Sequence, residues 1–352
     1  LMPVRPNFIE RTAFFTTNTA PGAMLDLAGA LAYQALSTAV QLDIFPELEK
    51  QPGTAAELAF RLNIQDRGMV ALLEALESIG YVEQQNGRYT NSKMTRKWLL
   101  DNKAFDTASL LAYWNAALRD LWSHAPQVLR SGERPYDFYK WVEADPDLAH
   151  SFQQTMVMSA NTIGPDIANK MKLPDRPARL LDVGGGHGMF SIIMCEQYPQ
   201  LQATILDSKS ALGTARHHVA AHNLQERITL QEADLWTADW GEGYDVILLF
   251  NLLHHFDRET NMQLLQKTAA ALKPGGRVAI LDQIESKARG SVANAFMHLM
   301  ALQYYLFADG RVFNRKELSD MLSQACFSDF HFHEFAAAPG SSLMTALINN
   351  FT

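Results

Sequence analysis

Apolar residues recur at helical spacing through the first half of the chain and in short β-type runs through the second. Over 23–38 they mark an amphipathic helix, followed by Val40-Gln41-Leu42-Asp43-Ile44-Phe45-Pro46. Thr54 is placed to cap a helix over 55–61, since its hydroxyl can accept an orphan backbone N–H. Val70, Leu72, Leu73, Leu76 and Ile79 give 67–79 an apolar helical face, and Gly80 ends it. Tyr81-Val82-Glu83 and Arg88-Tyr89-Thr90 then read as strands around Gln85-Asn86-Gly87, because an Asn-Gly turn supplies positive φ at both positions. Helices followed by such a hairpin form a winged-helix pattern.

Residues 104–172 read as helical and rich in large side chains, among them Trp114, Phe152 and Met156. Most of these are expected in a helical core, and some in an apolar pocket at a domain junction. After Pro177 the period changes. Strand-like runs at 179–183, 202–206, 228–232, 244–251 and 277–283 alternate with helical ones at 189–197, 212–222 and 258–272. That alternation implies an α/β domain, a parallel sheet covered by helices. Two further runs, 330–335 and 343–348, predict an antiparallel addition to it. The expected division is 1–103, then 104–172 as a helical, substrate-lining region, then 173–352.

Composition narrows the function. Apolar residues make up 47% and charged residues 19%, the balance of a soluble globular chain. Net charge is −8, a poor match to a polyphosphate partner. The winged-helix stretch from Pro52 to Lys97 has six basic and five acidic residues, without the basic excess of a DNA-reading module. No uninterrupted apolar run is expected to span a bilayer, since 24–45 is broken by Asp26, Gln34, Gln41 and Asp43. No basic-then-apolar signal sequence opens the chain, so the expected location is the cytoplasm. Leu1 ahead of Met2 reads as a cloning remnant. Cys195 and Cys326 sit in apolar surroundings and are expected as small core residues.

The candidate chemistry follows the strands. Leu180-Leu181-Asp182-Val183 runs into Gly184-Gly185-Gly186-His187-Gly188, a glycine loop that allows close backbone approach to a ligand. A dinucleotide fingerprint would need glycine at 189, which is Met189, and from Gly186 at 191, which is Ser191. Asp207 ends the next strand, where a carboxylate can accept both hydroxyls of a ribose. Asp234-Leu235 follows the third, with a carboxylate for an adenine amino group and an apolar neighbour for its ring. The fourth ends in Phe250-Asn251-Leu252-Leu253-His254-His255-Phe256-Asp257, where His254 can take a proton from a hydroxyl near neutral pH.

Together these motifs resemble the class I methyltransferases. From about residue 23 to 348 the chain resembles small-molecule O-methyltransferases related to plant caffeate and acetylserotonin enzymes. The resemblance implies a winged-helix dimerisation domain, a Rossmann-like domain and S-adenosylmethionine as cofactor. It implies cofactor contacts at Asp182, Gly184, Gly186, Asp207, Asp234, Leu235 and Asn251. It also implies a base at His254 and an orienting acid at Asp282. Trp114, Phe152, Met156, Met297 and Tyr304 are pocket candidates from helical placement. No resident metal, nucleic acid or membrane partner is expected, and a homodimer is. The chain departs from the family in Phe250 for a Lys, His255 for an Asp, and Val312 for a second orienting acid.

The expected reaction is methyl transfer to a hydroxyl of an aromatic or similar small molecule. With one orienting acid missing, methylation of a phenol ring carbon or of a keto-acid α-carbon stays open. In one version of it His254, His255 or His298 ligates a metal, although His298 in its apolar helix reads as a core histidine. A DNA-binding regulator that senses the cofactor is the alternative of another class.

Overall fold

The computed structural model describes residues 7–17, 19–101, 106–173, 175–285, 291–338 and 340–349. Leu1, Met2 and the boundary at 103/104 lie outside them. Contacts divide the chain into residues 1–114 and 115–352.

In the first unit the amphipathic stretch forms the helix Ala23–Gln41. By length and mean hydropathy, 1.2, it is long and apolar enough to cross a bilayer, the one such helix among the described residues. This corrects the expectation that no segment qualifies. Asp26 is the only charged residue within it, and one charge does not lower the window's hydropathy enough. Ile44–Lys50 is a further helix, entered through Asp43 at φ 55°. Pro46 sits in its first turn, where its missing N–H is not needed.

The helix Ala55–Leu62 opens with a reciprocal cap. Thr54 Oγ1 accepts from the Glu57 N–H at 3.3 Å, and Glu57 Oε2 accepts from the Thr54 N–H at 2.8 Å. Thr54→Ala is expected to destabilise this unit by about 1 kcal/mol in a urea titration. An unchanged midpoint would show the cap is idle. Asp66–Ser78 buries Met69, Leu73 and Leu76, so Val70 faces outward, contrary to the face read from the sequence. Strands β1 (Val82–Gln85) and β2 (Arg88–Asn91) pair antiparallel around Asn86 and Gly87, whose φ values are 51° and 76°. Ile44, Phe45, Leu48, Leu58, Leu73, Val82 and Tyr89 form the core.

The second unit carries the expected sheet. Its strands are β3 (Ala178–Val183), β4 (Leu201–Asp207), β5 (Ile228–Glu232), β6 (Tyr244–Phe250), β7 (Leu272–Glu285), β8 (Phe313–Asn314), β9 (Phe327–Glu334) and β10 (Ser341–Ile348). Their order is β5-β4-β3-β6-β7-β10-β9, with β8 beside the end of β7. Pairing is parallel from β5 to β7 and antiparallel through β10 and β9. Alternation sends Leu180, Ile205, Val246, Leu248 and Leu281 into one face's core, and Leu181, Leu206, Ile247, Leu249 and Ile280 into the other's. Each such side chain stabilises the fold by about 1.5–3 kcal/mol. The long helix Pro146–Met171 covers the first face through Ile163, Ile167 and Met171, packed near Phe190 and Ile192 of helix Met189–Gln197.

The chain builds outward from β3 to β5, then returns to build β6 and β7 on the other side. The order therefore reverses between β3 and β6, which places a ligand cleft at the carboxyl ends of those strands. Cys195 is buried as expected, but Cys326 is exposed, in a turn at φ 67° ahead of β9.

Candidate active site

The glycine loop leaves β3 with φ 70° at Gly184 and 47° at Gly186. At Gly185 a Cβ would lie 2.7 Å from Asp182 Cγ and 2.8 Å from Ile205 Cγ2, so only glycine lets the loop lie this close to the sheet. Asp182 is buried beneath it and accepts from Ser191 Oγ at 2.7 Å. The Asp182 carboxylate is thus turned inward, under the loop. Burial pushes its pKa up to about 7, against the Ser191 hydrogen bond. A carboxyl raised in this way stabilises the fold in its protonated form, and that contribution is lost as pH rises from about 4 through 7. Asp182→Asn is expected to flatten this dependence, read as a smaller difference in Tm between acid and neutral buffer. An unaltered slope would count against it.

Asp207 closes β4 with Oδ2 accepting from the Gly186 N–H at 2.8 Å and Oδ1 from the Ser208 N–H at 2.7 Å. Burial raises its pKa, while those two N–H groups oppose the shift. The glycine loop and the acid beyond it are therefore one unit. Asp234 is exposed after β5, and its Oδ1 accepts from the Trp236 and Thr237 N–H groups at 2.9 and 3.0 Å. Those bonds, Thr237 first, hold its pKa below the ordinary value. Lys267 Nζ donates to the carbonyls of Leu235, Trp236 and Ala238 at 2.8, 3.0 and 2.8 Å, which ties that loop to helix Arg258–Ala271. Nothing in the sequence pattern singled out Lys267, because its partners are backbone atoms.

Asn251, at φ 52°, donates its N–H to the Leu281 carbonyl at 2.7 Å and turns the chain off β6. His254 follows, 6% exposed. Its Nδ1 lies 2.8 Å from Asp282 Oδ1, and its N–H donates to Asp282 Oδ2 at 3.2 Å. A carboxylate only accepts, so Nδ1 carries the ring proton and Nε2 is the basic nitrogen. Tyr304 stacks on the imidazole with centroids 4.1 Å apart and planes 13° apart. Buried Asn261 fixes the same loop by donating to the carbonyls of Leu253 and Phe256 at 2.9 and 3.0 Å.

Behind His254 lies the turn that carries Val312. The Arg311 N–H donates to the His254 carbonyl at 2.9 Å, so the turn abuts the histidine backbone while its side chain at 312 is not an acid. His255 sits against His254 with ring centroids 4.1 Å apart. Its Nε2 is 3.0 Å from the Tyr139 hydroxyl. Burial, then the neighbouring His254, hold its pKa well below the ordinary imidazole value.

Of the pocket candidates, Tyr304 meets His254. Met297 is buried in helix Ser291–Ala308, and Met156 is half-buried on the long helix. Phe152 joins an aromatic cluster, 5.7 Å from Phe138. Trp114 belongs to the first unit, edge-on to Tyr113. His298 is exposed, which corrects its reading as a core histidine: Met297 beside it takes the buried position. Among the described residues no three His, Cys, Asp or Glu side chains gather at metal-ligand range.

A family model described as an O-methyltransferase domain matches residues 122–328, and one described as an O-methyltransferase dimerisation domain matches residues 25–101. The 3-hydroxy-5-methyl-1-naphthoate 3-O-methyltransferase of Streptomyces sahachiroi is 28% identical over 93% of this chain and 94% of that protein. The L-tyrosine C(3)-methyltransferase of Streptomyces lavendulae is 28% identical over 77% of each. Human N-acetylserotonin methyltransferase, solved in complex with S-adenosylmethionine, superposes with a TM-score of 0.81 at 21% identity, over 98% of this chain and 100% of that one.

Proposed function

The chain belongs to the O-methyltransferase family, and we propose on that premise that it methylates a hydroxyl of a small aromatic molecule with His254 as the general base. S-adenosylmethionine is the methyl donor. The observation that carries the reading is the buried His254–Asp282 pair, 2.8 Å between Nδ1 and Oδ1, where β6 and β7 reach their carboxyl ends. The substrate in one relative's name, 3-hydroxy-5-methyl-1-naphthoate, carries a hydroxyl on an aromatic ring.

The residues fit the cofactor. A Cβ built at Gly186 would meet nothing closer than 3.8 Å, so the loop is open above its tight base at Gly185. In this reading Asp207 would accept from the ribose hydroxyls, Asp234 and Leu235 would meet the adenine, and Gly184, Gly186 and Asn251 would line the chain between. Asp182 acts from below by shaping the loop. When bound, the cofactor supplies an electrophilic methyl group that needs only an oxygen held in line, so positioning provides much of the acceleration. His254 Nε2 accepts the proton of the acceptor hydroxyl. Asp282 keeps the tautomer and stabilises the imidazolium, as an orienting carboxylate does. Tyr304 holds the ring plane.

Incubation with S-adenosylmethionine and a panel of phenols, naphthols and hydroxynaphthoates, followed by mass spectrometry and NMR of the products, tests the reading. One added methyl on oxygen is expected. A second reading, methylation at ring carbon, is favoured by Val312 and by the relative named for C(3) of tyrosine. A product methyl attached to carbon would install it, and no methylated product would remove both.

We also propose that the chain works as a homodimer through its first unit. Met24, Leu27 and Leu31 stand 55%, 52% and 62% exposed at i, i+3 and i+7 of one helix, an unpartnered apolar stripe within reach of the dimerisation match. Light scattering is expected to give a dimer, and the Leu27→Asp, Leu31→Asp variant a monomer. A dimeric variant would move the interface elsewhere.

A further inference from the structure

Helix Phe138–Glu143 presents two side chains one turn apart, Tyr139 and Glu143. They reach opposite sides of the candidate cofactor cleft. The Tyr139 hydroxyl is 3.0 Å from His255 Nε2, just past the end of β6. Glu143 Oε1 accepts from Ser210 Oγ at 2.5 Å, three residues past Asp207 at the end of β4. Strand β3 lies between β4 and β6, so the helix straddles the glycine loop that leaves β3. The spans agree. Two strand spacings are about 10 Å, and one helical turn of about 5.4 Å plus two extended side chains covers that distance.

The root of the helix differs from its tips. Phe138 is buried among aromatic rings, stacked on Phe307 at 6.0 Å and edge-on to Phe152 at 5.7 Å. The Glu143–Ser210 contact is exposed, and the exposed Tyr139 meets a half-buried His255, so each contact adds the modest net stability of one hydrogen bond that water can replace. Such a helix can lose its fastenings and keep its anchor. His255, the departure from the family pattern that the reaction does not use, is one of the fastened residues. Its Nδ1 is buried without a partner among the described residues, so the hydrogen bond its ring makes there is the one to Tyr139.

We infer that helix Phe138–Glu143 is a clasp across the cofactor cleft, fastened by Tyr139 to His255 and by Glu143 to Ser210, and that it slows the escape of the spent cofactor. The inference rests on the S-adenosylmethionine reading above. Tyr139 and Glu143 are positioning residues: neither is assigned a contact with the reacting atoms.

The test is the release rate of S-adenosylhomocysteine from Tyr139→Phe, Ser210→Ala and the double variant, by stopped-flow displacement on the full chain. Each single variant is expected to release it about fivefold faster, the yield of one lost hydrogen bond, and the double variant faster still, with Tm unchanged. Tyr136→Phe, on the segment just before the helix, is expected to leave release unaltered. Unchanged release in the double variant, or an equal rise in Tyr136→Phe, overturns the clasp. Wild-type protein that binds no S-adenosylhomocysteine removes the cofactor reading and the clasp with it, a result distinct from release that is measurable but unaltered.

Discussion

His254→Ala is expected to lower turnover by about 10²–10⁴-fold, the usual yield of a positioned general base, while leaving donor affinity nearly intact. The split follows from where the residue sits. Its imidazole is engaged by Asp282 through Nδ1 and by the Tyr304 ring, whereas the glycine loop is held by Asp207 through the Gly186 N–H. Loss of the ring leaves the Asp207–Gly186 unit in place. Asp282 then faces a cavity, and its Oδ2 still accepts the backbone N–H at 254, so the loop has reason to hold. Turnover and calorimetric affinity for S-adenosylhomocysteine, measured together, decide the matter. Full turnover in the variant would strip His254 of its role, and parallel loss of affinity would make it structural.

Gly310→Ala carries the second largest expected effect, and it acts through the backbone of His254. A Cβ there would lie 2.2 Å from the His254 carbonyl oxygen and 3.1 Å from Tyr304 Cβ. The first contact is backbone, so no rotamer relieves it. The same turn donates the Gly310 N–H to the Tyr304 carbonyl and the Arg311 N–H to the His254 carbonyl, both at 2.9 Å. An added methyl must push the turn, His254 and its stacking partner apart together. A displacement near 1 Å at a reacting group costs about 10²-fold, and overpacking costs roughly 1–3 kcal/mol of stability. The expected result is a fall in kcat of that order with a donor KM close to wild type. An unchanged kcat would mean the turn yields without moving His254.

Much of this site was legible from the residues in order. The strand ends that carry Asp182, Asp207, Asp234 and His254 follow from short apolar runs broken by polar residues, and β3 to β7 form where those runs lie. Local signals served as well: the Asn86-Gly87 turn and the Thr54 cap are decided within four residues. What escaped were contacts between side chains and distant backbone. Lys267 looks like any surface lysine in a helix until three carbonyls from residues 235–238 converge on it. Tyr139 lies 116 positions from His255, and no spacing rule links them. Val70 and His298 fell on the wrong face because periodicity finds a stripe but not its centre when apolar residues flank it on both sides. Val312 shows the reverse. Its substitution for an acid was visible at once, and the fold places its turn directly behind His254.

The end of the sheet has a bearing on how the protein keeps to itself. Strand β9 is the last in the sheet, and its register against β10 shifts between Thr345 and Leu347. Its outward positions carry Asp329 and His331, which pair with each other at 3.3 Å. An exposed edge of unpaired N–H and C=O groups is a template for stacking onto another copy, and a kink plus charge is how natural sheets refuse it. The opposite edge, β5, is only five residues long. Both edges are thus poor templates for strand-to-strand stacking, whereas helix Ala23–Gln41 carries an exposed apolar stripe.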